Sequence, residues 1–145
     1  MTIKGMNSLL RKIDALGGNS QKALQTGIRK GSKLVQGDAK ELAPIGDSGL
    51  LRNSIQEKTE VKSGVVVGKV STNIYYGPYV EFGTGQRGEA SPSPPKSPEN
   101  LSYRQDWAGM DAQPYLYPAL TQNKENVKSV VKEELKKEIR KLGGS

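Results

Sequence analysis

Apolar residues recur at helical spacing in two stretches near the N-terminus. Residues 6–16 predict a short helix that a pair of glycines ends, and residues 19–42 predict a longer helix, which Ala43-Pro44 stops. The apolar stripe of the longer helix consists of Leu24, Ile28, Val35, Ala39 and Leu42. Gly31 and Gly37 interrupt it, and we expect a bend or close packing there, because glycine weakens a helix by about 1 kcal/mol relative to alanine.

The period of the apolar pattern changes from helical to twofold at Ile55. Apolar and charged residues then alternate, which is typical of a half-buried strand. Ser63-Gly64 predicts a turn, and residues 65–70, rich in β-branched side chains, predict an antiparallel partner strand extending as far as Ile74. Because two strands alone are marginally stable in water, this hairpin must pack on helices, on a third strand or on a neighbouring subunit.

Residues 85–112 show no periodicity, and their proline-rich run favours extended polyproline II structure. Loops of this length in a compact domain are usually functional or disordered, so we expect order here to come from contacts with other chains. Tyr103, Arg104 and Trp107 belong to residue types that are found at subunit and partner interfaces. Trp107 either folds back onto its own domain or contacts another subunit.

A long amphipathic helix is predicted from Pro118 to Gly143-Gly144. Its apolar stripe comprises Leu120, Val127, Val131, Leu135, Ile139 and Leu142. The opposite face carries the basic ridge, defined as five cations spaced four residues apart: Lys124, Lys128, Lys132, Lys136 and Arg140. A Glu133–Lys137 pair is expected to offset part of their mutual repulsion. The ridge faces DNA phosphates, an acidic protein surface or solvent, and the sequence leaves these three alternatives open.

Composition favours a single α+β domain, residues 1–145, without the commonest catalytic groups. The net charge of +7 lies mainly at the two ends of the chain, which favours nucleic acid or an acidic protein as a partner. Because the chain has no Cys and no His, it cannot form a serine–histidine triad, a cysteine–histidine pair or the usual zinc sites. We therefore expect no enzyme and no cofactor. We also expect no membrane span, and a product that stays in the cytoplasm unless it leaves inside a particle.

Two short segments in the middle of the chain carry patterns of their own. Asp47-Ser48-Gly49 follows a helix-ending proline and predicts a turn in which Gly49 adopts positive φ. An aromatic cluster predicts packed core in preference to a platform for stacking nucleotides, and it consists of Tyr75, Tyr76, Tyr79 and Phe82. We hypothesise that the charged residues Arg52 and Glu81 pair with each other.

Three blocks occur in a fixed order along the chain. They are Asp47-Ser48-Gly49-Leu50-Leu51-Arg52-Asn53-Ser54-Ile55, then Thr72-Asn73-Ile74-Tyr75-Tyr76-Gly77-Pro78-Tyr79-Val80-Glu81-Phe82-Gly83-Thr84, then Gln113-Pro114-Tyr115-Leu116-Tyr117-Pro118-Ala119-Leu120. This pattern resembles the head-to-tail joining proteins, also called neck or tail-completion proteins, of bacteriophages with long non-contractile tails. The matching positions are Asp47, Gly49, Leu51, Arg52, Tyr79, Glu81, Phe82, Gly83, Pro114 and Pro118. Ser48 stands where Thr is usual, and Tyr115 stands where Phe is usual.

The resemblance implies a structural virion protein at the neck, assembled in the host cytoplasm as a ring, of six copies, around the DNA channel. Its implied partners are other copies of itself, the connector or stopper, the tail tube or tail terminator, and the genomic DNA in the channel. The alternative reading is a basic nucleic-acid-binding module that is not part of the virion. An enzyme that uses Glu81 or Asp47 with Mg²⁺ is a third.

Overall fold

The computed structural model describes residues 18–46, 49–92, 94–95 and 101–143. It confirms an α+β fold of helices with one two-stranded sheet. The helix predicted over residues 6–16 lies outside the described residues. The chain folds into two compact units: a first unit with residues up to 33, 58–69 and from 124 onward, and a second unit with residues 34–57 and 70–123.

Two helices form the core of the first unit: the long N-terminal helix and the C-terminal helix that carries Val127 and Leu135. Their backbones approach closely. Helix α1 spans Gly18–Leu42 and contributes residues 18–33 here, where Ala23 packs with Leu135 in a buried cluster. A Cβ added at Gly31 would lie 2.8 Å from Cγ1 of Val127, so only glycine allows this approach. The close packing predicted at Gly31 is therefore confirmed, whereas Gly37 has no neighbour within 4 Å and is not closely packed.

An antiparallel hairpin follows a short helix, as the twofold pattern predicted. Helix α2 spans Leu50–Ser54, strand β1 spans Gln56–Lys62 and strand β2 spans Val65–Ser71, so β2 ends before Ile74. Ser63 and Gly64 both have positive φ, 50° and 79°, which matches the twist of a two-residue hairpin turn. Gly68 packs against Ile28 and Ser32 of α1, so within the first unit the hairpin rests on a helix.

The second unit is built from short helices around the C-terminal part of α1. Helix α3 spans Gly77–Phe82, helix α4 spans Gly85–Ala90 and helix α5 spans Leu116–Gln122. Its buried apolar side chains are Val35, Ala39, Ala43, Leu51, Ile55, Tyr115 and Ala119. The α4 helix corrects the prediction that residues 85–112 form one long loop without secondary structure.

The predicted C-terminal helix is broken at Asn123. Helix α6 spans Lys124–Gly143, and Asn123 separates it from α5, in which Pro118 is the third residue. The buried Asn123 side chain donates hydrogen bonds to the Ala119 carbonyl at 2.8 Å and to Asp38 Oδ2 at 2.6 Å. In a continuing helix the Ala119 carbonyl would accept a backbone N–H group, but here it accepts the Asn123 side chain. This bond ends α5 at a position where the apolar periodicity predicted that the helix continues.

Candidate functional site

The carboxylate of Glu81 joins the second sequence block to the third. Glu81 lies on α3 and is 4% exposed. Its Oε1 accepts the backbone N–H groups of Leu116 at 2.8 Å and Tyr117 at 3.1 Å, and Oε2 accepts that of Tyr115 at 2.9 Å. These are N–H groups that the first turn of a helix leaves without intrahelical partners, so Glu81 caps the N-terminus of α5.

The surroundings of Glu81 act on its pKa in two directions. Burial raises the pKa of Glu81 and is the larger effect, while the N–H bonds from Leu116, Tyr117 and Tyr115 lower it. Both carboxylate oxygens are occupied by backbone donors of the same chain. Glu81 is therefore a structural capping group, and the structure does not support its use as a catalytic carboxylate.

Tyr115 is fully buried beside this cap. Its hydroxyl donates a hydrogen bond to the Gly77 carbonyl at 3.1 Å, and burial, with a smaller effect from Glu81, raises its pKa to about 12. A Cβ at Gly77 would lie 2.6 Å from Thr72 Cγ2 and 3.0 Å from the Tyr115 hydroxyl. The tyrosine that replaces the usual phenylalanine is thus accommodated, because its extra polar atom has a partner.

Arg52 of the first block caps the C-terminus of α1. Its Nε donates to the carbonyl of Lys40, in the last turn of α1, at 2.8 Å. The hypothesis that Arg52 pairs with Glu81 is wrong. Each charge instead satisfies backbone groups at a helix terminus whose partial charge has the opposite sign: cationic Arg52 at a C-terminus and anionic Glu81 at an N-terminus.

The structure describes Gly49 of the predicted turn before Arg52, and its positive φ confirms the prediction for that residue. Gly49 has φ 66° and directly precedes α2, on which Leu51 is 3% exposed. Asp47 lies outside the described residues. The Ser54 and Thr72 hydroxyls bond each other, so the end of the first block also contacts the segment after β2.

A comparison with protein families decides the family of this chain. The family model described as "Bacteriophage HK97-gp10, putative tail-component" matches residues 7–83. The chain belongs to this HK97 gp10-like family. It is accordingly a structural phage protein of the tail-component class and not a member of an enzyme family. No curated protein and no solved structure matches it.

The family match contains the first block and the second as far as Gly83. The third block lies beyond it and is held to the second by the Glu81 cap and by the bond from Gln113 N–H to the Val80 carbonyl at 2.8 Å, next to Pro114. Across the part of the chain that the structure describes, no helix combines the length and the apolar character that a bilayer span requires.

In this HK97 gp10-like protein the residues directly after the match are hydrogen-bonded to residues 107–110 of the same chain. Thr84 and Met110 exchange two backbone hydrogen bonds of 2.9 and 3.0 Å, and the Trp107 carbonyl accepts the Gln86 N–H at 3.0 Å. A Cβ at Gly83 would lie 2.7 Å from the Met110 carbonyl oxygen. Backbone groups of Thr84, Gln86 and Arg87 are thus bonded by residues 107–110 of the same chain, and the expectation that other chains contact this segment stays a prediction.

The three predicted contact residues of this segment differ in what they can offer a partner. The Tyr103 hydroxyl donates to the Phe82 carbonyl at 3.1 Å, and Arg104 forms a two-point ion pair with exposed Asp106. Trp107 is 49% exposed and Met110 is 51% exposed, although the backbone of both is fixed. Trp107 and Met110 thus present apolar surface from a rigid backbone, whereas Tyr103 and Arg104 are already engaged.

The aromatic cluster is largely outside the core, which corrects the sequence prediction. Tyr75 is 83% exposed and packs edge-to-face on Tyr76, and Tyr79 is 59% exposed. The buried residues of α3 are Gly77 and Glu81, one turn apart. The prediction was wrong because it assumed that the aromatic side chains face the core. The buried face of α3 instead carries Gly77 and the capping carboxylate of Glu81.

The basic ridge is exposed along most of its length. Lys128 is half-buried and pairs with Glu125 at 3.2 Å. The other four cations are exposed and have no carboxylate partner among the residues described: Lys124, Lys132, Lys136 and Arg140. The predicted Glu133–Lys137 pair is wrong, because Lys137 pairs with Glu134 at 3.5 Å.

Proposed function

We propose that this protein joins the phage tail to the head, as a ring of six copies around the DNA channel at the neck of the virion. Assembly takes place in the host bacterial cytoplasm, and the neighbours are the connector or stopper and the tail tube or terminator. Genomic DNA passes through the ring and contacts it without sequence preference. Membership of a tail-component family supports the structural role and the virion location.

The Glu81 cap is the observation that carries this proposal beyond the family. The joining-protein pattern has three blocks, and the family match ends at Gly83 within the second. Glu81 of the second block binds the N-terminus of the helix that the third block forms. The second and third blocks are therefore parts of one folded arrangement, as expected if the joining pattern acts as a unit.

Electron microscopy of phage particles tests the proposal. A nonsense mutation in the gene should yield DNA-filled heads and complete tails of normal length that remain separate. Adding the purified protein to that lysate should restore joined, infectious particles, and averaging of their necks should show the chain as a ring. Absent tails, or tails of irregular length, would contradict the joining role and indicate a function in tail construction.

A nucleic-acid-binding module outside the virion is the second candidate, because four ridge cations have no ion-pair partner in the described chain. Neutralising about four phosphates gives a log–log salt slope of roughly −3 to −4, and Lys132→Gln should reduce it by about one. Fluorescence anisotropy with random-sequence duplex DNA measures this slope. A steep slope together with absence of the protein from purified virions would favour this candidate.

A further inference from the structure

Exposed leucines mark a surface of the second unit that the sequence pattern did not indicate. Leu34 and Leu42 of α1 are 43% and 41% exposed, and they share a helix face with Asp38, midway between them. The bond from Asn123 to Asp38 brings the end of α5 to this face, and Leu120, 58% exposed, lies one turn before Asn123. The leucine surface is defined as Leu34, Asp38, Glu41, Leu42 and Leu120.

The leucine surface includes members of the apolar stripes predicted from the sequence. Leu42 and Leu120 were both assigned to apolar stripes, and each is among the exposed large apolar residues. The signal that could have indicated this surface is the second row of α1 at a spacing of four residues, Leu34, Asp38 and Leu42. Exposed apolar patches with polar residues at their edges are characteristic of protein-interaction sites.

The two units carry charges of opposite sign. Among described residues, the first unit has 14 Lys and Arg against 5 Asp and Glu, a net charge of +9. The second unit has 4 Lys and Arg against 7 Asp and Glu, a net charge of −3. The basic ridge belongs to the first unit and the leucine surface to the second. A second copy of this chain therefore offers each surface a partner of complementary charge.

We infer that copies of this protein associate head to tail, with the basic ridge of one copy docked on the leucine surface of the next. The ridge spans about 24 Å along α6 at 1.5 Å per residue. Its lysine and arginine stems can cover the leucines, while their charged ends approach Asp38 and Glu41. Glu41 is exposed and has no ion-pair partner in the described chain.

A contact between two different surfaces is heterologous, and such contacts close into rings when the rotation between copies permits it. The inference deepens the proposed function, on which its biological meaning rests, by naming the subunit interface of the ring. Self-association of the purified protein can nevertheless be measured without phage particles. The two ideas can therefore fail separately.

Two variants that each disable one surface test the inference. The ridge variant is Lys132→Glu with Lys136→Glu, and the surface variant is Leu34→Gln with Glu41→Gln, so that the altered ridge and the altered surface do not complement each other. All four side chains are exposed and make no ion pair among the described residues, so both variants are expected to fold. Circular dichroism and thermal unfolding check this before association is measured.

Sedimentation velocity over a range of protein concentrations in low salt provides the readout. The wild-type protein should form oligomers that dissociate in high salt, and each variant alone should be monomeric. An equimolar mixture of the two variants should form a 1:1 dimer and nothing larger, because it contains one intact ridge and one intact surface. Only a heterologous contact predicts this result.

A control with the same change of charge separates the ridge from net charge. Lys22→Glu with Arg29→Glu alters two exposed cations of α1 outside the ridge and should leave association unchanged. The inference is overturned if the wild-type protein stays monomeric, if either variant still assembles, or if the control dissociates equally. A monomer whose salt-dependent DNA binding is lost in the ridge variant would assign the ridge to DNA, while the neck experiment would still decide the joining role.

Discussion

Replacing Glu81 by alanine removes the group that caps α5 and should destabilise the second unit. The substitution leaves three backbone N–H groups without their acceptor, those of Tyr115, Leu116 and Tyr117. A buried donor left unsatisfied costs about 1–3 kcal/mol, and water entering the vacated space recovers part of this. Three such donors sum to about 3–9 kcal/mol, so with this recovery we expect a loss of about 3–5 kcal/mol in the free energy of unfolding.

Thermal unfolding and hydrogen exchange measure this effect. For a chain of this size, 1 kcal/mol corresponds to about 2–4 °C, so the melting temperature of the Glu81→Ala protein should fall by roughly 6–20 °C. Because the two units need not unfold together, exchange at residues 115–122 is the sharper measurement. Those amides should lose protection, whereas the amides of α6 in the first unit should change much less.

Glu133→Ala is the matched control. Glu133 is an exposed carboxylate on α6 without an ion pair among the described residues, and its removal should change stability by no more than about 0.5 kcal/mol. If Glu81→Ala proved as stable as Glu133→Ala, with unchanged exchange at the start of α5, the capping role of Glu81 would be refuted.

Three further predictions concern the same packing and electrostatics. Tyr115→Phe removes one hydrogen bond to a backbone carbonyl and should cost about 1 kcal/mol in urea unfolding, and a much larger loss would contradict a role limited to that bond. Gly31→Ala places a Cβ 2.8 Å from Val127 and should lower the melting temperature. Gly37→Ala has open space around it and should raise the melting temperature, because alanine gains up to about 1 kcal/mol of helix propensity. Equal shifts of the melting temperature in the two variants would refute the packing argument. Because burial raises the pKa of Glu81 above the unfolded value, the folded state holds this proton longer as pH rises. The contribution of Glu81 should be complete below the unfolded pKa and decline as pH rises through the folded pKa, so the gap between wild type and Glu81→Ala should be larger at pH 4 than at pH 8.

The elements that local pattern determines were predictable from the sequence. Helix α1 followed its apolar stripe to Leu42, and the hairpin followed the twofold pattern with its turn at Ser63-Gly64. The break at Asn123 was not predictable, because the amide that produces it bonds Asp38, which is 85 positions earlier in the chain. Apolar periodicity contains no information about such a long-range polar contact.

The charged motif residues illustrate a second limit of sequence reasoning. Arg52 and Glu81 were expected to pair because each is the charged member of its block. Backbone N–H and C=O groups at helix ends also need partners, and a sequence does not show which side chain will reach them. Arg52 therefore binds the end of α1 and Glu81 the start of α5, a result that depended on tertiary structure.

Several motif side chains are buried, which indicates that a partner protein contacts other parts of the surface. Glu81, Leu51, Gly77 and Tyr115 are buried, and Arg52 donates to the backbone of α1, so these residues specify the fold of the second unit. The exposed groups that a neighbouring protein could contact lie elsewhere, in Trp107 and Met110, the basic ridge and the leucine surface. Apart from Leu34, Asp38, Glu41 and Leu42, these groups lie after residue 83, where the family match ends.

This distribution predicts how substitutions should separate folding from assembly. Trp107→Ala should leave the melting temperature nearly unchanged, because the Trp107 backbone bond to Gln86 persists and half of the side chain is already in water. If Trp107 contacts a neighbour, the same substitution should weaken joining in the lysate complementation assay, as expected for a central aromatic anchor. Tyr75→Ala removes a more exposed aromatic residue and serves as the control. Equal joining by both variants would remove Trp107 from the interface and leave the ridge and the leucine surface as the candidates for subunit contact.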